Sequence, residues 1–247
     1  MCVLALAWKA HPCWHLVALA NRDELHARPS APLQKWPGEP QILAGRDEVS
    51  GGTWLGLTPS RGRFCAVTNV SGHAHSTDAP SRGGLVESLL VDGYAEDLAS
   101  AELARFNGFN LIVIEDRQAS LLTNVPEVSA RRLDGGFYGL SNGLLSSRWP
   151  KVAALEEALS NWMESHGSTA DLLDLLAPSE PFSPLPGEPR SGAPLFIKNE
   201  VYGTRCSTVV AISASGDGSI TERRFDAGGE VTGETTLSFE WASASRR

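Results

Sequence analysis

The chain has 247 residues, 42% of them hydrophobic and 20% charged, which is enough to bury a sizeable core. Its 21 basic and 29 acidic residues give a net charge of -8, and no stretch is rich in lysine or arginine, so nucleic acid and anionic membrane surfaces are poor partners. The four cysteines are widely spread without a C-x-x-C pair, and no apolar stretch approaches about 18 residues. We therefore expect a reduced, cytoplasmic protein without a membrane span, a metal site or a disulfide framework.

The first elements are two short apolar runs, at 2–8 and 14–20, separated by a turn that contains Pro12. Lys9 follows the first run rather than preceding it, which is not the charge pattern of a signal peptide. Because both runs are apolar on both faces, they predict a β-hairpin that is covered by another layer on each side.

The remaining elements follow in chain order. Strands are predicted at 51–57, 62–69, 109–116, 119–125, 137–143, 206–213, 219–226 and 235–242, and helices at 81–92, 94–105 and 169–177. The clearest helix begins at Pro150, and its apolar stripe consists of Val152, Leu155, Leu159 and Trp162. A proline-rich surface loop is predicted at 177–194. This order predicts an α+β fold with segregated layers, formed by residues 1–247 as a single domain.

Position 2 carries a cysteine directly after the initiator methionine. A methionine followed by a small residue is usually removed, which would make Cys2 the N-terminal residue. Its α-amino group, with an ordinary pKa of about 7.7–8.0, can then act as the base for its own thiol. The alternative is a buried cysteine that fills a small apolar slot in the first strand.

The polar tetrad Asn21-Arg22-Asp23-Glu24 follows the second apolar run. In a hairpin with strands of about seven residues, the end of the second strand lies beside the start of the first. The tetrad is therefore predicted to lie next to Cys2. Asp23 is then placed to bind the ammonium or the thiol, and Arg22 to favour the thiolate or bind an anionic substrate group. The alternative is a solvated turn.

Three further polar residues stand at strand ends. Asn69 and Asn142 follow apolar runs, where an amide side chain or an adjacent backbone N–H can stabilise an oxyanion. Asparagine is also an ordinary turn former, so this pattern has a second interpretation. Arg205 precedes an apolar strand and is either an edge residue or a ligand for a carboxylate.

Together these motifs resemble the NRDE-domain family, which includes the transport and Golgi organisation proteins. The motifs are MC, NRDE, GGTWLG, TN, SRG, GFNL, GLSN, WPKV and YGTRCST, spread from Cys2 to about Arg224. Cys13 and Cys206 depart from the expected pattern. The family in turn resembles cysteine N-terminal nucleophile hydrolases of the choloylglycine hydrolase and penicillin V acylase type, which implies a four-layer αββα sandwich of mainly antiparallel sheets.

That resemblance implies a site and a reaction. Asn69 and Asn142 would supply oxyanion and amine contacts, and Arg205 would be a second arginine. The implied catalytic residues are Cys2, Arg22, Asp23, Asn69, Asn142 and Arg205, with Asn21 and Glu24 as ligand-binding residues. By analogy, the reaction is hydrolysis of a small linear amide or thioester.

A second function stays open at this point. NRDE-domain proteins have been connected with haem handling and with acyl-CoA or lipid metabolism, so the alternative is a non-catalytic carrier on the same scaffold. Seven tryptophans are available to line an apolar cleft, although most are expected in the core; among them are Trp8, Trp14, Trp36 and Trp54. No cofactor is expected except haem as a carried ligand, and the oligomeric state is not predicted.

Overall fold

The computed structural model describes residues 2–73, 75–93, 100–115, 118–165 and 167–242. Its strands are β1 (Val3–His11), β2 (Trp14–Leu25), β3 (Ser30–Lys35), β4 (Leu43–Asp47), β5 (Leu55–Thr58), β6 (Arg63–Asn69), β7 (Phe109–Glu115), β8 (Gln118–Thr123), β9 (Ser129–Leu133), β10 (Gly136–Leu140), β11 (Tyr202–Ser213), β12 (Asp217–Phe225) and β13 (Val231–Glu240). Its helices are α1 (Arg82–Val91), α2 (Ser100–Leu103) and α3 (Pro150–Ser165), with 3₁₀ segments at Pro59–Arg61, Thr169–Leu176 and Pro189–Gly192. The chain is therefore a mixed α+β protein dominated by strands.

The strands form two sheets in which each neighbouring pair is antiparallel. One sheet has six strands in the order β10-β1-β2-β11-β12-β13. The other has seven strands that run consecutively from β3 to β9. The predicted first hairpin is confirmed, and it occupies the interior of the six-stranded sheet.

Alternation along β1 explains why this strand is apolar on both faces. Leu4 and Leu6 point into the cluster that packs the two sheets against each other. Val3 and Ala5 point the other way, into a second cluster shared with α3 and the 3₁₀ segment Thr169–Leu176. A third cluster packs α1 onto the outer face of the seven-stranded sheet. Both faces of the hairpin are thus removed from water, as the sequence predicts.

The predicted end of the second strand, at residue 20, is wrong, because β2 continues through the polar tetrad to Leu25. The reason is that β11, the neighbour of β2 on the side away from β1, pairs with β2 along this stretch. It sets Cys206 opposite Arg22 and Thr204 opposite Asp23. Arg22 and Asp23 are only 5% and 3% exposed. The interpretation of the tetrad as a solvated turn is therefore wrong.

Other elements differ from the predictions in detail. Strands β3, β4 and β9 were not predicted, and the predicted strand at 51–57 begins only at Leu55. The predicted helix at 94–105 lies partly outside the described residues, which include its segment α2. Among the residues described, no helix has both the length and the apolar character needed to cross a membrane.

Candidate active site

A cleft of about 320 Å³ opens beside the start of β1. We call it the Cys2 cleft. The first hairpin and the residue before it contribute Cys2, Arg22, Asp23 and Glu24. The seven-stranded sheet and its connections contribute Asp47, Thr53, Trp54 and Asn69, and the start of α1 contributes Ser81, Arg82 and Gly83. Four predicted site residues of the hairpin, and Asn69 from the other sheet, therefore line one cleft.

Cys2 reaches the cleft because of the register of β1. Val3 pairs with Asn21 and Leu4 pairs with Leu140, so the residue before Val3 lies at the end of a strand held on both sides. The Oγ of Ser141 donates a hydrogen bond of 2.8 Å to the carbonyl oxygen of Cys2. The thiol is free and only partly exposed. The backbone of this cysteine is thus fixed while its side chain faces the cleft.

Arg22 is held in the cleft by two contacts. Its Nη2 donates to Oδ2 of Asp47 over 2.7 Å, and its guanidinium carbon lies 4.4 Å from the ring centroid of Trp54. Its Nη1 is buried and has no hydrogen-bond partner among the residues that the structure describes. Arg22 therefore presents a desolvated, oriented N–H group, which is the kind of donor that binds a carboxylate or an oxyanion strongly.

Asp47 binds two arginines, Arg22 and Arg28, and was not predicted as a site residue. Its carboxylate also accepts from Nε and Nη2 of Arg28, at 2.7 and 2.9 Å, and from the backbone N–H of Ser50. Burial alone would raise the pKa of Asp47, but these hydrogen bonds and the charges of Arg28 and Arg22 lower the pKa to about 2. Asp47 is therefore ionised throughout the physiological range.

Asp23 lies on the opposite face of β2 from Arg22, because side chains alternate along a strand. Its Oδ1 accepts a hydrogen bond of 2.7 Å from Oγ1 of Thr204, and its backbone carbonyl accepts one from the Tyr202 hydroxyl. Burial raises the pKa of Asp23 above its ordinary value, against the opposing charge of Lys151. The carboxyl is thus rigidly placed at the edge of the cleft in a low-dielectric environment.

Lys151, in the first turn of α3, was also missed by the sequence analysis. Lys151 is 0% exposed, and no described residue forms a hydrogen bond with its Nζ. Burial lowers the pKa of Lys151, while the charges of Asp23 and Cys2 act in the opposite direction. A lysine buried at this cost is stabilised by the acidic groups around the start of β1, and it brings a positive charge to them.

The two predicted asparagines join the sheets at one end of the cleft. Nδ2 of Asn142 donates 2.7 Å to the backbone carbonyl of Asn69, and the backbone N–H of Ser71 donates to the carbonyl of Asn142. The side chain of Asn69 is exposed and lines the cleft. Asn69 is therefore available to a ligand, whereas the Nδ2 group of Asn142 is used to hold the strand that carries Asn69.

Two close glycines place the start of α1 over the cleft. A Cβ added to Gly52 would lie 2.2 Å from the backbone carbon of Gly83, and the carbonyl of Gly83 accepts from the N–H of Thr53. Only glycine allows this approach. It fixes Arg82, whose Nη1 donates to the carbonyl of Gly108 and whose pKa is lowered by burial.

The other predicted residues have different surroundings. Nδ2 of Asn21 donates to the carbonyls of Leu176 and Leu195, and its Oδ1 accepts from Ser207, so this side chain ties the outer segments to β2. Arg205 lies outside the cleft lining, and its Nη1 donates to the carbonyls of residues 25 and 26. Glu24 lines the cleft, where its Oε2 is 4.0 Å from Arg28.

Comparison with known proteins decides the family. The model of the family described as "Transport and Golgi organisation 2" matches residues 1–227. The chain belongs to this family. Relatives include the transport and Golgi organization 2 homologs of Homo sapiens, with 31% identity over 90% of this chain and 92% of that protein, and of Mus musculus, with 30% identity over 90% and 92%. The Drosophila melanogaster protein is 28% identical over 87% of this chain and 88% of its own length.

In this member of the transport and Golgi organisation 2 family, two of the three residues that were not predicted lie inside motifs that carry the resemblance. Lys151 is the lysine of WPKV, and Arg82 is the arginine of SRG. Both residues were part of a motif, but the sequence alone indicated no role for either side chain. Asp47 belongs to no quoted motif, so only its contacts with Arg22 and Arg28 identify it.

Proposed function

We propose that this protein is a cysteine N-terminal nucleophile hydrolase that cleaves a small amide or thioester, with Cys2 as nucleophile after removal of Met1. The observation that carries the proposal is that Cys2 and Arg22 line one cleft and that no described residue binds the buried Nη1 of Arg22. The two face-to-face sheets, with α3 on one outer face and α1 on the other, support the four-layer arrangement of such enzymes.

The reaction starts from the two groups of one residue. The free α-amino group of Cys2 takes the thiol proton, and the thiolate attacks the substrate carbonyl carbon to form a C–S bond. The resulting oxyanion collapses, the C–N or C–S bond of the substrate breaks, and the ammonium returns its proton to the leaving amine or thiol. Water then attacks the acyl-enzyme thioester, releasing the carboxylic acid and the Cys2 thiol.

The surroundings of Cys2 supply the positioning that these steps need. Nη1 of Arg22 and the side chain of Asn69 are the donors available for the oxyanion. Asp23 would orient the ammonium of Cys2, and the charge of Lys151 opposes the rise in the pKa of Asp23 that burial causes. Asn142 acts indirectly, because its amide holds the backbone of Asn69.

The size and charge of the cleft limit the substrate. Its volume of about 320 Å³ is near the lower end of small-molecule sites, which range over about 300–1,000 Å³. Its walls carry three arginines and three acidic residues, and Arg82 makes no ion pair with a described residue. We therefore expect a compact substrate with a polar or anionic group next to the scissile bond.

The test uses the purified protein and one matched variant. We expect intact-mass spectrometry to show loss of Met1, and p-nitrophenyl acetate to release nitrophenol with an acetyl adduct on the Cys2 peptide. The Cys2→Ala variant should lose the adduct and the turnover, whereas Cys13→Ala, which removes an exposed thiol, should keep both. Retention of Met1 in active protein, or equal turnover by Cys2→Ala, would refute the mechanism.

The same variants distinguish the carrier alternative. A non-catalytic carrier of haem or acyl-CoA predicts saturable binding of those ligands that survives Cys2→Ala but weakens in an Arg22 variant. If binding is found without turnover, the site holds a ligand rather than cleaving one. If neither ligand binds at tens of micromolar, the carrier alternative fails.

A further inference from the structure

A second cavity of about 300 Å³ lies at the open side of the two sheets. We call it the side cavity; β7 to β9 contribute Asn110, Leu121 and Arg131, β10 and the loop after it contribute Tyr138, Leu140 and Leu145, and α3 contributes Val152 and Glu156. Strands β9 and β10 each form the edge of their sheet, so this side of the molecule is not closed by a further strand. None of its lining residues lines the Cys2 cleft.

The inner end of the side cavity carries an unusual polar atom. Asn110 is 1% exposed, and its Nδ2 donates to the carbonyls of Ser141 and Gly143 at 3.3 and 2.9 Å. These two acceptors fix the orientation of the amide, so its Oδ1 is an acceptor, and no described residue donates a hydrogen bond to this buried Oδ1. A buried acceptor without a donor is destabilising, because it has lost its hydrogen bonds to water. It is therefore a specific place for a ligand O–H or N–H.

The walls and the mouth of the cavity have different character. Leu121 and Leu140 are buried, and Leu145 packs against the cluster between the sheets, so part of the wall is apolar within a lining that is otherwise polar. Arg131 is exposed and makes no hydrogen bond or ion pair with a described residue. Arg148, the other cation in the lining, is paired with Glu156. Arg131 is thus the cation available to an anion that enters from solvent.

We propose that the side cavity is a second small-molecule site, for an amphipathic monocarboxylate that carries a hydroxyl or amide N–H at its apolar end. The carboxylate binds Arg131 at the mouth, the apolar body lies between Leu121 and Leu145, and the donor reaches Oδ1 of Asn110. The leucines give the apolar body of the ligand a surface to pack on, and the polar groups at the two ends fix its orientation. It does not depend on the hydrolase proposal.

Hydrogen bonds connect the side cavity to the Cys2 cleft. Asn110 holds the carbonyls on both sides of Asn142, and Nδ2 of Asn142 holds the carbonyl of Asn69. The Oγ of Ser141 in turn supports the carbonyl of Cys2. A ligand that orders Asn110 therefore orders the turn on which both Cys2 and Asn69 rest.

The test is isothermal titration calorimetry of the full chain with matched ligands. The probes are ω-hydroxyalkanoates of six to ten carbons, the alkanoates of equal length that lack the hydroxyl, and the diols that lack the carboxylate. We expect one chain length of the hydroxy acid to bind with a stoichiometry of one, about tenfold more tightly than its alkanoate and its diol. Equal affinity for the hydroxy acid and the alkanoate would refute the role of Asn110, and no binding by any probe would refute the site.

Variants locate the binding within the chain. Arg131→Gln should lower the affinity for the hydroxy acid by about three- to tenfold. Arg132→Gln, on the opposite face of β9, should leave this affinity unchanged within about twofold. Leu145→Trp should abolish binding by filling the cavity while the protein keeps its circular dichroism spectrum. If instead Arg82→Gln in the Cys2 cleft abolishes binding and Arg131→Gln does not, the ligand binds in the Cys2 cleft and the proposal is wrong.

Discussion

Arg22 and Asp47 form a buried ion pair that crosses from one sheet to the other. Nη2 of Arg22 lies 2.7 Å from Oδ2 of Asp47, and the two side chains are only 5% and 9% exposed. Arg28 binds the same carboxylate from the solvent side, with its own side chain 33% exposed. Asp47 therefore binds a buried arginine and a half-buried one. We expect the contact with Arg22 to contribute more to stability than the contact with Arg28.

Removal of Asp47 should be costly for stability. Asp47→Ala leaves Arg22 buried beside Trp54 without its carboxylate, and breaking a buried pair in this way costs about 3–5 kcal/mol. Arg28→Gln removes only the more exposed partner and should cost less than about 1 kcal/mol. Urea unfolding of the two variants checks this order. Equal losses would show that the pair with Arg22 has no special weight.

The low pKa of Asp47 predicts a loss of stability in acid. Its pKa is about 2 in the folded protein against 3.8 ordinarily, so the folded state binds this proton less readily than the unfolded state. The stabilisation is complete above about pH 4 and disappears as the pH falls to 2, amounting to about 1 kcal/mol after solvent screening. Urea unfolding between pH 5 and 2 should show a shallower decline for Asp47→Asn than for the unchanged protein. Parallel declines would contradict the assignment.

Glu222 predicts a pH dependence of the opposite sign. This carboxyl is 2% exposed and accepts the N–H of Leu33, and burial raises its pKa above the ordinary 4.5. The folded state therefore retains the proton to higher pH than the unfolded state, and stability falls as the pH rises from 4.5 through the folded pKa. Glu222→Gln keeps the acceptor for Leu33 without the charge. It should be more stable than the unchanged protein at pH 8 and no more stable at pH 4, as measured by chemical unfolding.

Lys151 should serve activity rather than stability. Lys151→Met preserves much of the side-chain volume and removes a buried cation whose Nζ has no hydrogen-bond partner, so the free energy of unfolding should be unchanged or higher. Hydrolysis should fall at least tenfold with a shifted pH profile, because Asp23 loses its counter-charge. Lys198→Met, at an exposed position, is the control. A destabilised variant with normal turnover would mean that Lys151 is structural only.

Two asparagines that look alike in the sequence should respond differently. Asn124 is an acceptor for the N–H of Phe109 and a donor to the carbonyls of Leu103 and Phe106, so Asn124→Ala should lower stability by about 1–3 kcal/mol with little effect on turnover. Asn142→Ala releases the carbonyl of Asn69 and should lower kcat/KM at least tenfold. Kinetics and unfolding of both variants decide. Equal kinetic effects would contradict a role for Asn142 in placing the cleft.

The hairpin and its register could be predicted because the information is local. Two apolar runs around Pro12 define the pairing, and pairing alone sets Arg22 beside Cys2. The continuation of β2 through the tetrad could not be predicted, because it depends on β11, which pairs with it from about 180 residues away. Polar residues in a buried strand look like a turn until their partners are known.

Two of the three missed strands, β3 and β9, share a second cause. In β3 only Leu33 is buried and Pro32 interrupts the pattern, and in β9 four of five residues are exposed. Such edge strands carry almost no alternation of apolar residues. Asp47 and Lys151 were missed for a related reason, since a single polar residue acquires its role only when distant elements enclose it.

The position of β1 between β10 and β2 has a practical consequence for anyone who handles this protein. Because the strand is held on both sides up to Cys2, any peptide fused ahead of that residue must emerge at the mouth of the cleft. An affinity tag there would lie at the cleft and cap the amine that the proposed mechanism uses. The last strand, β13, lies at the outer edge of its sheet. A purification handle therefore belongs at that end, so that assays of the proposed activity use protein with an unblocked Cys2.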